Sequence, residues 1–484
     1  MNRRKGGFGR GIGIVVLGMA LAAGVVLWIA LALLEPTRPS VQQHGVLFGI
    51  WDFVYDTVAP SLQAVLVAVA VALLLAAAVA GIEWRISTLY RRSTNAQALP
   101  LAPRPVMDAT RGVYHGPVTV TAVIPAHNEA DRISDTLASL QRQHDAPERI
   151  IVVADNCTDA TEDLARAAGA DVFRSVDNAH KKGGALNQAL AALLPTLGEN
   201  DTVLVMDADT VLDQGYLAAA RARFTQDRAL MAVGGLFYGE EGGGLVGQFQ
   251  RNEYTRYARE IARRRGRVFV LTGTASVFRS RAMKVVADSR GSLIPGRRGD
   301  VYDTAALTED NEITIALKSL GALIISPREC TVVTEVMPTW RSLWAQRLRW
   351  QRGALENLGA YGVTAQTARY WSQQLGIGYG VIALLSYFLL FAVMLLALDE
   401  WVWFPFWLGI GLFFVVERVI TVWAGGWRAR LLAVTLFPEL FYAMFLNVVF
   451  VKGVGDILMR REARWRHVVT NADGRTTVAD GVRR

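Results

Sequence analysis

Long apolar segments near both ends of the chain constrain its fold most. An α-helix needs about 20 residues to cross a bilayer, and the segments of that order cover residues 12–34, 62–82, 375–398, 401–423 and 431–451. The 484-residue chain is 52% hydrophobic and 19% charged, with a mean hydropathy of +0.25. These values favour an integral membrane protein in which a more polar central part folds by itself.

Basic residues next to the apolar segments predict the orientation. They precede the first segment and follow the second and the last: Arg3, Arg4, Lys5 and Arg10; Arg85, Arg91 and Arg92; Arg460, Arg461, Arg464 and Arg466. Because basic loops stay on the cytosolic side, we predict a multi-pass protein of the inner (plasma) membrane with a cytosolic centre. Pro438 and Glu439 interrupt the last segment, so we expect it to be re-entrant or interfacial. The net charge of +8 then reflects contact with membrane lipid, and with no recognisable reader module we expect no nucleic-acid partner.

The pattern divides the chain into five predicted parts. They are an N-terminal start with two transmembrane helices, a cytosolic catalytic domain, an amphipathic interfacial helix, C-terminal transmembrane or re-entrant helices, and a basic tail, over residues 1–92, 93–338, 339–366, 367–452 and 453–484. The two cysteines, Cys157 and Cys330, have no neighbours at metal-ligand spacing and are expected to be structural, in a reducing compartment.

Between residues 118 and 336, short runs rich in β-branched residues alternate with helical patterns. The runs at 118–124, 150–153, 171–173 and 203–206 predict strands, and a further strand is expected at 268–270. Such alternation predicts an α/β fold with a mostly parallel sheet and helices on both faces. Ligands of such sheets bind beyond the carboxyl ends of the strands, so the polar residues that follow these runs are candidate site residues.

Three polar signatures occur in a fixed order along the centre of the chain. They are Asp207-Ala208-Asp209, Thr308-Glu309-Asp310 and Gln346-Arg347-Leu348-Arg349-Trp350. Closely spaced carboxylates repel each other unless a cation lies between them, and hard divalent ions prefer oxygen ligands. A metal, a separate acid/base carboxylate and a cationic-aromatic helix together suit the transfer of a group from a phosphate leaving group.

Two further strand ends and one helix start add polar residues. The strand ends carry Pro125 to Glu129 and Ala154 to Asp159, and Lys181-Lys182-Gly183-Gly184 opens a helix, where phosphate binds readily. Helix capping is the alternative explanation for Asn128 or Asp131, for Thr158 or Asp159, and for Thr308 to Asp310. Capping explains Glu129 and Asp155 less well.

Residues 118–353 resemble the membrane-integrated processive glycosyltransferases of family 2, which include hyaluronan, cellulose, chitin-oligosaccharide and poly-N-acetylglucosamine synthases. The resemblance implies a GT-A fold, a UDP-sugar donor and Mg²⁺ or Mn²⁺. It also implies roles for particular residues: nucleotide-sugar binding by Pro125, His127, Glu129, Asp155, Lys182, Asp207, Asp209 and Arg349; metal binding by Asp207 and Asp209; base catalysis by Asp310; and acceptor binding by Gly273, Thr274, Glu309, Gln346 and Trp350. The chain has Thr274-Ala275-Ser276 where many relatives carry Cys or another small residue.

The function predicted from the sequence is an inverting synthase that elongates a β-linked polysaccharide at the cytosolic face and moves it through its own helices. UDP-N-acetylglucosamine is the first candidate donor, by analogy of the helix arrangement. The alternative is a non-processive transferase acting on a lipid-linked acceptor. A membrane receptor or transporter without enzymatic activity would need the complete set of carboxylates to have no chemical role.

Overall fold

The structure is a computed structural model. It describes residues 116–264, 266–397, 405–461, 465–470 and 476–481, and before these residues 18, 21–32, 42–47, 51–56 and most of 62–81. The chain divides into two compact units: residues 1–101 with 384–414, and residues 102–383 with 415–484. The second unit holds every candidate site residue.

The second unit is built on a seven-stranded sheet. Its strands are β3 (Thr119–Ala126), β4 (Arg149–Ala154), β5 (Asp171–Arg174), β6 (Asp201–Met206), β8 (Leu230–Gly234), β10 (Ala275–Arg279) and β11 (Leu323–Ile325). Across the sheet they lie in the order β11-β8-β10-β6-β3-β4-β5. Strands β3 to β6 pair in parallel, whereas β10 is antiparallel to both of its neighbours. The predicted mixed, mostly parallel sheet is therefore confirmed, and its central strands are buried on both faces, as continuous apolar runs require.

The described part of the chain contains helices of both units. In chain order they are α1 (Leu21–Ala32), α2 (Leu62–Val71), α3 (Ile133–Gln141), α4 (Thr161–Ala167), α5 (Lys181–Leu193), α6 (Tyr216–Gln226), α7 (Gly244–Arg263), α8 (Ser280–Ser289), α9 (Glu309–Ser319), α10 (Trp340–Tyr361), α11 (Ala368–Ala397), α12 (Pro405–Thr421), α13 (Gly426–Val434) and α14 (Phe437–Leu458). The largest core cluster joins β3, β4, β6 and β8 to apolar residues of α5, α8 and α9. This packing fixes the helix starts that carry polar residues at one edge of the sheet.

Three short strands form a second sheet in the order β7-β12-β9, from Val211–Leu212, Thr331–Thr334 and Leu236–Gly239. Two antiparallel hairpins lie outside the sheets: β1 (Gln42–Leu47) with β2 (Trp51–Asp56), and β13 (Trp465–Thr470) with β14 (Thr476–Gly481). Trp51, Phe53 and Tyr55 lie at alternate positions of β2. Their alternation of aromatic and other residues has the period of two that strands favour.

The strand expected at Val268–Val270 is wrong. These residues follow α7 without regular structure, and the nearby strand is β10, which begins at Ala275. The reason is a lysine: Lys318 Nζ donates to the carbonyls of Val268 and Phe269 at 2.7 and 3.0 Å. The backbone carbonyls thus bind a side chain instead of a neighbouring strand. The candidate loop at Gly273 and Thr274 consequently precedes a strand and does not follow one.

Among the residues that the structure describes, one helix is both long and apolar enough to cross a membrane, Phe437–Leu458. The predicted segment 431–451 is divided between α13 and α14, and Pro438 lies in the first turn of α14, where its missing N–H costs nothing. The multi-pass arrangement and the five-part division of the chain stay predictions. Parts of segments 12–34, 62–82 and 375–423 lie outside the described residues.

Candidate active site

Strand direction brings the candidate residues to one edge of the large sheet. Because β3, β4 and β6 are parallel, the polar residues after their carboxyl ends are adjacent. Strand β10 runs the other way, so its start meets the end of β6, and the Asp207 backbone N–H donates to the Thr274 carbonyl at 3.0 Å. Thr136 Oγ1 of α3 donates to the Ala208 carbonyl at 2.6 Å. The Asp207–Asp209 turn is therefore held from both sides.

Lys182 joins two of the three polar signatures. Its Nζ lies 2.6 Å from Asp207 Oδ1 and 2.8 Å from Glu309 Oε1. Burial alone would lower the pKa of Lys182, but the two carboxylates raise it well above its ordinary value, so the amine stays charged. Lys182 in turn lowers the pKa of Glu309 against the opposing effect of burial. One carboxylate of each acidic signature is thus ion-paired with the same cation.

Asp310 lies beside this ion-pair group and is held by two backbone N–H groups. Its Oδ2 accepts from the Gly273 N–H at 3.2 Å and its Oδ1 from the Asn311 N–H at 2.7 Å. Burial, and next the negative charge of Glu309, raise the pKa of Asp310 to about 6. A carboxylate with a pKa near the working pH is suited to accept a proton. Gly273 lines the same small cavity as Lys182, Glu309 and Asp310.

Two carboxyl groups near the end of β6, Asp209 and Glu129, have pKa values raised by burial and by neighbouring carboxylates. Burial and then Asp207 and Glu335 raise the pKa of Asp209 to about 7, and burial followed by Asp209 raises the pKa of Glu129 to about 7. Such mutual repulsion is relieved by a divalent cation, for which carboxylate oxygens are suitable ligands. The donor set of Asp207 and Asp209 therefore fits Mg²⁺ or Mn²⁺. In the part of the chain described, no group of three or more His, Cys, Asp or Glu side chains is placed to hold a metal.

Asp155, directly after β4, is buried and densely hydrogen-bonded. Its Oδ1 accepts from Ser175 Oγ at 2.7 Å and from Asn178 Nδ2 at 2.8 Å. Its carbonyl lies 2.6 Å from Nδ1 of the exposed His127. The capping alternative fails for Asn128, since its Oδ1 accepts from the Thr158 N–H, which ties one strand end to the next. His127, Glu129 and Asp155 therefore lie in adjoining loops at the sheet edge, next to Pro125 near the end of β3.

Helix α10 is packed tightly against the start of α9. A Cβ added to Gly353 would lie 2.5 Å from Thr308 Oγ1, so only glycine permits this approach. Asn357 Nδ2 donates to the Thr308 carbonyl at 3.1 Å and to Asn311 Oδ1 at 3.0 Å. The Thr308 side chain makes no cap for α9, so the capping alternative for Thr308 fails too. The third polar signature is thereby fixed next to the second.

The residues of the third signature have different surroundings. Burial raises the pKa of Glu309, but Lys182 and, to a smaller extent, Arg349 lower it, so Arg349 lies close enough to act on this carboxylate. Gln346 Oε1 is buried and has no hydrogen-bond partner in the described residues. Trp350 is 36% exposed. Arg347, for which the sequence predicted no role, is buried.

Sequence reasoning missed a buried framework behind the site. Arg290 and Glu312 form a fully buried bidentate ion pair with distances of 2.8 and 2.7 Å, and Tyr361 Oη donates to Glu312 Oε1 at 2.5 Å. Asn187 Oδ1 accepts from the backbone N–H groups of Val301 and Tyr302. The Glu312 carboxylate on an otherwise apolar helix face was the available signal, but its partner is 22 residues away.

Comparisons with known proteins agree with this geometry. Residues 117–353 match the family described as Glycosyltransferase like family 2. A poly-beta-1,6-N-acetyl-D-glucosamine synthase of Staphylococcus aureus (strain MSSA476) is 26% identical over 283 residues, which are 57% of this chain and 63% of that protein. The probable glycosyltransferase YdaM of Bacillus subtilis (strain 168) is 28% identical over 253 residues, 48% of this chain and 54% of that one.

The match thus spans less than two thirds of the length of these curated relatives. Among solved structures, the mannosyltransferase PcManGT from Pyrobaculum calidifontis in complex with GDP-Man and Mn²⁺ is 17% identical, with a TM-score of 0.46 over 79% of this chain and 94% of that chain. Residues 117–353, just under half of the chain, are therefore similar to family 2 glycosyltransferases, and this similarity confirms the enzyme class predicted from the sequence.

Proposed function

We propose that the protein is an inverting, metal-dependent glycosyltransferase that uses a UDP-sugar to elongate a β-linked polysaccharide. The observation that carries this proposal is the ion-pair group at the sheet edge. Lys182 holds Asp207 and Glu309 within 2.8 Å of its amine, and this places the metal-type carboxylates next to Asp310. Donor and acceptor would meet between them.

Each side chain then has a distinct task in donor binding. Asp155 and Glu129, with Pro125 and His127 beside them, would receive the nucleoside. Lys182 and Arg349 offset the negative charge of the diphosphate. Asp207 and Asp209 would hold Mg²⁺ or Mn²⁺, which when bound acts as a Lewis acid toward the departing diphosphate.

Asp310 would serve as the catalytic base. Its carboxylate accepts the proton of the acceptor hydroxyl while the acceptor oxygen forms a bond to the anomeric carbon. The bond from that carbon to the diphosphate breaks, and UDP leaves with the electron pair. A single displacement of this kind inverts the configuration at the anomeric carbon. The pKa of about 6 keeps Asp310 ionised at neutral pH yet basic enough to accept a proton.

The acceptor side consists of Gly273, Thr274, Glu309, Gln346 and Trp350. An aromatic ring can stack on a sugar, and the partly exposed Trp350 lies on a helix fixed beside the base. N-Acetylglucosamine is our first choice of sugar, supported by the Staphylococcus aureus relative. We place the domain on the cytosolic face of the inner membrane, with the polymer leaving through the chain's own helices.

The direct test uses the full chain in lipid nanodiscs with Mg²⁺ or Mn²⁺ and radiolabelled UDP-N-acetylglucosamine, UDP-glucose or UDP-glucuronate. We expect one donor to be consumed, chelation by EDTA to stop the reaction, and the product to be a long polymer. A product with a single added sugar on lipid would rule out processivity, and no turnover of any donor would refute the proposal.

The role of Asp310 is tested by Asp310→Asn against Asp288→Asn, which changes an exposed aspartate of the same unit. The first variant should lose transfer but still bind UDP-sugar, and the second should behave as the unmodified protein. Normal transfer by Asp310→Asn would show that another group is the base.

A further inference from the structure

Arg347 is a buried cation within the third polar signature that neither donor nor acceptor binding has used. It is 5% exposed, whereas its neighbour Trp350 is 36% exposed. Its Nη2 donates to Glu253 Oε2 of α7 at 3.0 Å. Burying a charged guanidinium costs free energy unless neighbouring groups compensate its charge.

The guanidinium lies against aromatic rings. Its Cζ is 4.3 Å from the ring centroid of Trp350 and 5.7 Å from that of Tyr254. Within the described part of the chain, Nε and Nη1 are buried and have no hydrogen-bond partner. The planar guanidinium is stabilised partly by stacking on the faces of these aromatic rings, a contact that a lysine makes less well. The orientation of Trp350 is thus coupled to that of Arg347.

Glu253 fixes Arg347 in turn. Its Oε2 also accepts a hydrogen bond from Tyr442 Oη of α14 at 2.6 Å. Tyr442 is buried and stacks on Phe249 with a centroid distance of 4.9 Å and an interplanar angle of 1°. The series Trp350–Arg347–Glu253–Tyr442 therefore joins α10 to α7 and to the one described helix that is long and apolar enough to span a membrane.

We propose that Arg347 is a positioning residue that holds the Trp350 ring in the orientation in which it receives the acceptor sugar, with Glu253 as its anchor. The role of Trp350 as acceptor platform rests on the proposed function. The placement of its ring by Arg347 does not, and can be tested separately.

The kinetic test replaces Arg347 by methionine, which keeps most of the side-chain volume but removes the charge. Glu253 is about one third exposed, so water can solvate its carboxylate in the variant. Using an N-acetylglucosamine oligosaccharide as acceptor, we expect its KM to rise about tenfold, as the loss of a desolvated cation–π contact implies. The donor KM and the rate of donor hydrolysis without acceptor should not change.

A double-variant comparison separates positioning from an independent effect. If Arg347 acts through Trp350, then Arg347→Met should add nothing to the acceptor KM of Trp350→Ala. Glu253→Gln should give the same acceptor-specific defect as Arg347→Met. The proposal would be overturned if the double variant raised the acceptor KM by the product of the two single-variant effects. It would also be overturned if Arg347→Met raised the donor KM as much as the acceptor KM. Arg341→Met, at an exposed arginine of the same helix, is the matched control and should change neither KM.

A spectroscopic test needs no activity. In protein labelled with 5-fluorotryptophan, the ¹⁹F resonance of Trp350 is assigned by its loss in Trp350→Phe. Arg347→Met should shift or broaden that resonance, and Arg341→Met should leave it in place. If Arg347→Met does not fold, Arg347→Lys is measured in its place, with the same expected change. An unchanged resonance would refute positioning, whereas absence of UDP-sugar turnover by the unmodified protein would refute only the proposed function.

Discussion

Replacing Glu309 by glutamine should move the pH dependence of sugar transfer to lower pH. Glu309 and Asp310 are consecutive at the start of α9, and of these two Glu309 is the one that pairs with Lys182. The pKa of Asp310 is raised from 3.8 to about 6, first by burial and next by the charge of Glu309, while Lys182 lowers it. Glutamine removes the repulsive charge and leaves the lysine in place.

The size of the shift follows from this order of causes. Burial contributes most to the rise of the pKa of Asp310, and the charge of Glu309 is the second cause. Removing its charge should lower the pKa of Asp310 by roughly one pH unit, equivalent to about 1.4 kcal/mol. A general base acts only when deprotonated, so kcat/KM falls as the pH drops below its pKa. The midpoint of that fall should therefore move from about 6 toward about 5.

The assay is the release of UDP at saturating acceptor from pH 4.5 to 8, with kcat/KM for the donor fitted at each pH. Glu199→Gln, at a half-exposed surface glutamate paired with Arg281, is the control and should keep the original midpoint. A midpoint that stays near 6 or rises in Glu309→Gln would refute either the base assignment or the electrostatic coupling of the two carboxylates.

Three further changes test the charges of the site and its framework. Asp310→Asn should abolish transfer yet stabilise the fold by roughly 1–2 kcal/mol at pH 8, measured by thermal unfolding. The reason is that the raised pKa of Asp310 makes its negative charge unfavourable in the folded state, so the gain fades as the pH falls below about 6 and the carboxylate becomes protonated. Lys182→Met should raise the donor KM and cost roughly 1–3 kcal/mol in urea unfolding, since it strands two partly buried carboxylates. Arg290→Met should cost about 3–5 kcal/mol by leaving Glu312 buried and unpaired, whereas Arg166→Met, which breaks exposed pairs, should cost less than about 1 kcal/mol.

Local pattern was sufficient to predict four of the seven strands of the large sheet, β3 to β6, and the polar residues that follow three of them. The runs before Pro125, Asp155 and Asp207 are apolar and rich in β-branched residues, which favours buried strands, and the residue that follows such a strand lies at its end. The geometry of a parallel sheet then places these ends together. The same reasoning identified Lys182 at a helix start.

Local sequence pattern could not predict which of these residues pair with each other. Lys182 is 25 residues from Asp207 in sequence, and nothing in either motif indicates that one amine serves both Asp207 and Glu309. The error at Val268–Val270 has the same origin. A β-branched run is a strand only if a neighbouring strand accepts it, and here Lys318 binds the carbonyls instead. Likewise Arg347 differs from Arg349 through its contact with Glu253, which sequence spacing does not reveal.

The close contact between α9 and α10 bears on how a polymer could grow at this site. Gly353 allows α10 to touch Thr308, and Asn357 bonds the backbone just before the base, so Asp310 and the helix bearing Trp350 are held together by short contacts. A transferase that repeats one step needs the terminal sugar in the same place each time. If Asp310 is the base and Trp350 the acceptor platform, as proposed, the two are fixed to each other, and the element that changes position between steps would be the polymer. Its advance would then be driven by sugar addition and by stacking on Trp350, and Arg347 would determine how well each new terminal sugar is received.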